Sequence, residues 1–116
     1  MNTHPGHKPG EHWIAVWTYD DSCEVLDSYG LDLHTYQYLA PFIVWLNQWK
    51  YVGKNDRVLQ SIKTASRGDF AMVYLMCKAR GQSMEDFLNY FTSSDYVQND
   101  HIVGSMLEDM IRGLIK

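Results

Sequence analysis

The chain has 116 residues, 46% of them apolar and 21% charged, with three prolines and eight glycines. That composition excludes fibrous, collagenous and disordered classes, and the length predicts one domain spanning residues 1–116. Fourteen acidic against ten basic side chains give a formal net charge of -4; without a clustered excess of Lys and Arg, nucleic acid is not an expected partner. The longest near-apolar stretch, Tyr38 to Leu46, is far short of the roughly 20 residues that span a bilayer, and no basic flank precedes an apolar run at the N-terminus, so neither a membrane span nor a signal peptide is expected. Cys23 and Cys77 are the two cysteines, which fits a reduced intracellular protein and not a disulfide scaffold.

Residues 1–11 carry two prolines, two glycines and two histidines without hydrophobic periodicity and read as an extended arm. His12 to Thr18 is rich in β-branched and aromatic residues, and Cys23 to Asp27 is a second β-like run. Tyr19 to Ser22 supplies turn chemistry between them, which predicts a hairpin. Ser28 to Gly30 reads as a turn. From about His34 to Lys50 the apolar residues recur at three- and four-residue spacing, an amphipathic helix that starts or kinks at Pro41. Gly53 to Asp56 are turn signals, and Arg57 to Ile62 reads as a short edge strand. Gly68 to Arg80 is apolar nearly all round, so it is expected to be a buried central helix, with Lys78 and Arg80 in its last turn and Gly81 as its stop. Ser83 is positioned to cap the next helix, and Asn99 or Asp100 the last one. The resulting class is α+β: a small, mostly antiparallel sheet packed on helices.

Three residues combine into possible chemistry: His12 at the mouth of the first strand, Asp27 at the end of the second, and Gln60 ahead of a glycine-led helix. A histidine held by a carboxylate serves as a general base, and a glutamine amide donates to a developing oxyanion. The nucleophile of such a site belongs at a helix N-terminus, where free amides lower a thiol pKa. That place, immediately before Gly68, holds Arg67.

The segment from Asn2 through His12-Trp13, the block Leu26-Asp27-Ser28-Tyr29-Gly30, Gln60, and the helix start Arg67-Gly68-Asp69-Phe70-Ala71, with Gly81, Ser83, Asn99 and Asp100 behind them, resembles the adenovirus-type cysteine proteases (adenain) and their relatives in self-synthesising transposons and large DNA viruses. The resemblance implies a papain-related fold in which His12 is the catalytic histidine, Asp27 its orienting acid and Gln60 the oxyanion-hole donor. Trp13, Arg67 and Gly68 would line the peptide-binding cleft. Arg67 stands where the nucleophilic Cys belongs and Ala71 where a second family Cys usually lies. An arginine keeps its proton and offers no lone pair for attack. The family's upstream helix and strand have no counterpart here, so the resemblance implies either an N-terminally truncated fold or another chain that supplies that surface.

Other residues fit the nucleophile's role poorly. Ser66 is rotated about 100° around a helix start relative to position 67, and Cys77 and Cys23 read as core or hairpin thiols. His4 and His7 flank a Pro-Gly turn without a carboxylate or Cys at ligand spacing, so neither a metal nor a cofactor is expected. Arg67 can instead bind a carboxylate, such as the free C-terminus of a cleaved peptide. The expected function is a catalytically inactive protease homologue of viral or transposon origin with a peptide or protein partner. The alternatives are a viral cysteine endopeptidase whose nucleophile is replaced in this form, and a structural or interaction subunit that uses only the scaffold.

Overall fold

β-branched and aromatic residues on either side of two consecutive aspartates fold as the expected hairpin. In the computed structural model, which describes residues 13–30, 40–60 and 68–115, strand β1 (Ala15–Tyr19) pairs antiparallel with β2 (Ser22–Leu26). Asp20 takes the loop's left-handed conformation at φ 50°. The arm 1–11, His12, Arg67, Ser66 and the first part of the helix expected from His34 lie outside the described residues.

The third strand differs from expectation. β3 is Tyr51–Lys54 and runs parallel to β2, so the three-stranded sheet, ordered β1-β2-β3, is mixed and not mostly antiparallel. Gly53 and Lys54 looked like turn residues. They belong to an exposed edge strand, where glycine is tolerated because little packs on it. Conversely, Arg57 to Gln60 form no strand: the Leu59 and Gln60 N–H groups both donate to the Ser28 carbonyl, at 2.8 and 3.1 Å, a loop clasp and not a ladder.

Helix α1 (Ala40–Leu46) carries Pro41 in its first turn, where the missing N–H has no helical acceptor to lose. It ends four residues before Lys50 in tight turns, with Gln48 N–H donating to Trp45 O at 3.1 Å and Trp49 N–H to Leu46 O at 3.1 Å. Helix α2 (Asp69–Ala79) stops where expected: Gly81 sits at φ 85°, and the Gln82 and Gly81 N–H groups close on the Cys77 and Lys78 carbonyls, each at 3.0 Å. Ser83 caps α3 (Met84–Leu88) through a capping box with Asp86. The last helix, α4 (Tyr96–Ile115), starts earlier than expected. Asp95 accepts from the Gln98 N–H at 3.0 Å and takes the capping role, while Asn99 and Asp100 lie inside the helix. None of the described helices is long and apolar enough to cross a membrane.

The sheet is covered on both faces. Ile14, Cys23, Val25 and Leu46 are buried on the α1 side, with Val16 and Phe42 packed against them. Ala15, Leu26, Phe70, Val73, Tyr74, Phe87 and Val103 are buried on the side of α2, α3 and α4. Successive residues of β1 thus feed opposite cores, as strand alternation requires. The central helix is less enclosed than its composition suggested, for Met72 is 54% exposed and Leu75 36%. A polar tie joins α2 to β2: the Tyr74 hydroxyl donates to the Glu24 carboxylate, whose Oε1 also lies 3.3 Å from Lys78 Nζ. Burial, and then that hydrogen bond, push the Tyr74 phenol far above its ordinary value. The unfolded chain releases this proton above a pH of about 10 while the folded chain retains it. Stability is therefore fully present below that pH and falls as the pH rises above it. Urea unfolding between neutral and strongly alkaline pH is expected to show this decline, with a shallower slope in Tyr74→Phe.

Candidate functional site

The Asp-Ser-Tyr-Gly turn at the end of β2 is held from every side. Its carbonyl at Asp27 accepts from the Gly30 N–H at 2.9 Å, and Asp27 Oδ1 accepts from the Tyr29 N–H at 2.9 Å. Gly30 is required here, because φ is +68° and a Cβ would come within 2.9 Å of Val58 Cγ2 and 3.3 Å of its Cα. Asn55 then brackets the Asp27 backbone with both ends of its amide. Oδ1 accepts from Asp27 N–H at 2.9 Å, while Nδ2 donates to Asp27 O at 2.7 Å and Arg57 O at 2.8 Å.

This bracket delivers Gln60 to the turn. The Ser28 hydroxyl donates to Gln60 Oε1, which fixes the amide's orientation and sets Nε2, the donor an oxyanion requires, at its other end. From the far side, Asn99 Nδ2 donates to Leu59 O at 2.9 Å and Thr92 O at 2.7 Å, and Asn99 Oδ1 accepts from Thr92 N–H at 2.8 Å. Asp27, Ser28, Asn55, Gln60 and Asn99 are each at most 4% exposed. A buried polar network of this kind is stable only when its members are satisfied together.

A second junction involves the other motif halves. Gly68 precedes α2 at φ +73°, and a Cβ there would lie 3.3 Å from Trp13 Cδ1. The indole that follows His12 in sequence therefore packs on the glycine that follows Arg67. His12 and Arg67 themselves lie outside the described residues. The structure thus brings Asp27 to Gln60 and Trp13 to Gly68. Sequence reasoning missed Asn55, which looked like a turn residue, and the bridging role of Asn99, which looked like a cap. Both are buried amides with every bond made to backbone, a use that carries no periodic signature.

The surroundings are acidic. Burial, then Asp27 and Asp100, push the Tyr29 phenol up, and burial, then Asp100, push the Asp69 carboxyl up. Asp100 Oδ1 is shut off from solvent, with no hydrogen-bond partner among the described residues. Cys23 and Cys77 are both buried free thiols. Burial is the main cause that pushes each thiol up, away from the reactive thiolate. Among the described residues, no group of three His, Cys, Asp or Glu is placed to hold a metal ion.

No protein-family model, curated protein or solved structure matches the chain. Two substitutions measure the site's mechanics. Asn55→Ala removes the side-chain partner of the Asp27 N–H and of the Arg57 carbonyl, together with one of the two donors to the Asp27 carbonyl, and is expected to cost about 2–4 kcal/mol in denaturant unfolding. Gly68→Ala forces a left-handed alanine against Trp13 and is expected to cost about 1–2 kcal/mol.

Proposed function

We propose that the chain is a catalytically inactive homologue of the adenain-like cysteine proteases, of viral or transposon origin, that binds a peptide and acts inside the host cell or the virion. The observation that carries this reading is the packing of Trp13 on Gly68, because it joins the strand that follows His12 to the helix that follows Arg67. The same loop clasp that seats Gln60 also buries Asp27. In this reading Asp27 orients His12, Gln60 donates to a peptide carbonyl, and Arg67 occupies the nucleophile's place. A guanidinium there cannot attack a carbonyl. It can form a bidentate pair with the free carboxylate of a peptide's C-terminus.

Restoring a thiol tests the frame. Arg67→Cys is treated with a peptide electrophile, and the modified residue is read by mass spectrometry across pH. Labelling at position 67 is expected to outrun labelling of Cys23 and Cys77 by about a hundredfold, the scale of general-base assistance, and to lose that advantage in His12→Ala. Labelling of all three thiols at equal rates overturns the reading and leaves a scaffold without a catalytic frame. Turnover of a peptide ester by Arg67→Cys would instead favour the endopeptidase alternative.

A further inference from the structure

At the tip of the β1–β2 hairpin, at the opposite end of β2 from Asp27, lies a notch of about 370 Å³. Asp20 and Asp21 of the hairpin loop form one side, and Trp45, Gln48, Trp49 and Lys50 at the end of α1 form the other. Backbone bonds hold the two sides together. The Tyr51 N–H donates to the Asp21 carbonyl at 3.1 Å, and the Trp49 N–H ties the same turn to Leu46 O at 3.1 Å. Every one of these residues lies within the continuously described stretches 13–30 and 40–60.

The two aspartates are unpaired inside the molecule. Glu24, Glu85 and Glu108 each pair with a lysine or arginine, whereas neither Asp20 nor Asp21 has an ion pair or a side-chain hydrogen bond among the described residues. A two-residue hairpin loop ordinarily places glycine after Asp, and here a second carboxylate stands beside the first. Adjacent like charges repel, so the loop is more stable with a cation beside it than alone. Lys50 is drawn elsewhere, its ammonium lying over the Tyr51 ring at 5.4 Å from the centroid.

The indoles supply the other half of the notch. Trp45 is 37% exposed and Trp49 is half-buried. Their rings meet edge to face at 5.4 Å, while Phe42 stacks on Trp45 at 5.6 Å. One face of Trp45 is thus covered, and the edge-to-face contact leaves an indole face that none of these rings covers. Two carboxylates beside an indole match a guanidinium, whose planar fork donates to carboxylate oxygens while its face lies on the ring. An ammonium is a hydrated point charge with no flat face to stack. Because Asp20, Asp21, Gln48 and Lys50 are all exposed, the notch is open at its rim and suits the end of a long side chain better than a free small molecule.

We propose that this notch binds an arginine side chain presented by a partner protein, with the guanidinium paired to Asp20 and Asp21 and stacked on the Trp45–Trp49 corner. The inference does not rest on the protease resemblance, since it uses none of the residues that carry it.

The probe is the peptide acetyl-Gly-Ser-Arg-Ser-Gly-amide, added to the full ¹⁵N-labelled chain at low ionic strength. Saturable binding with a Kd on the order of 1–10 mM is expected, the range of one exposed charge-assisted contact with cation–π stacking. The largest shifts are expected at the Asp20 and Asp21 amides and at the Trp45 and Trp49 indole N–H groups. Citrulline in place of the peptide's arginine keeps the shape without the charge and is expected to abolish binding, and lysine to weaken it about threefold or more. Asp20→Asn combined with Asp21→Asn suits the loop, because Asn tolerates a positive φ, and is expected to weaken binding about tenfold without lowering the thermal unfolding midpoint. Lys50→Gln removes a like charge from the rim and is expected to tighten binding about twofold. No shift at about 50 mM peptide overturns the proposal. So does binding that survives citrulline, and so does equal binding of the lysine peptide, which marks a diffuse acidic patch. Free arginine binding more tightly than the peptide, or the same shifts on concentrating the chain alone, puts a small molecule or a second copy in the notch and likewise overturns it.

Discussion

The site depends on one side-chain amide. Asn55 satisfies the N–H and the C=O of Asp27 at once and holds the carbonyl of Arg57 with its remaining hydrogen. Two irregular loops, which have no ladder to pair their backbones, are thereby joined as firmly as two strands. With Asp27 fixed, the Ser28 carbonyl can accept from Leu59 and Gln60 together, and Asn99 reaches across from α4 to hold Leu59 from behind. A loop carrying unpaired buried amides would be costly, so the clasp is a condition of burying this region at all.

Among the described residues the sheet separates two cores, and β1 contributes to both. Its residues alternate between the α1 face and the α2 face. The Trp13 indole rests on Gly68 at the start of α2.

Much of the architecture was legible because it rests on local rules. The hairpin followed from β-branched residues around Asp20 and Asp21, the stop of α2 from Gly81, and the start of α3 from Ser83. Pro41 fell in the first turn of α1, where proline is compatible with helix. The errors arose where a local signal was overruled by distant partners. Gly53 and Lys54 were recruited to an exposed parallel edge by pairing with β2. Arg57 to Gln60 have strand composition, yet their backbone groups are claimed by Ser28 and Asn55. Asn99 resembled a cap, but Asp95 caps the helix and frees Asn99 to bridge two loops. The partly exposed face of α2 was hidden by its uniform apolarity, which conceals the difference between a core stripe and an exposed one. Within the candidate site, Asp27 and Gln60 were found because spacing singled them out, whereas Asn55 carried no spacing signal.

The central question is whether the buried Asp27 carboxyl orients His12. Long-range ¹H–¹⁵N spectra of the histidine side chains answer it in the unaltered chain and in Asp27→Asn. An imidazole held by that carboxylate shows one dominant neutral tautomer, with a slowly exchanging Nδ1 proton that disappears in Asp27→Asn. A His12 with averaged tautomers and a spectrum unchanged by Asp27→Asn would contradict the protease-like frame.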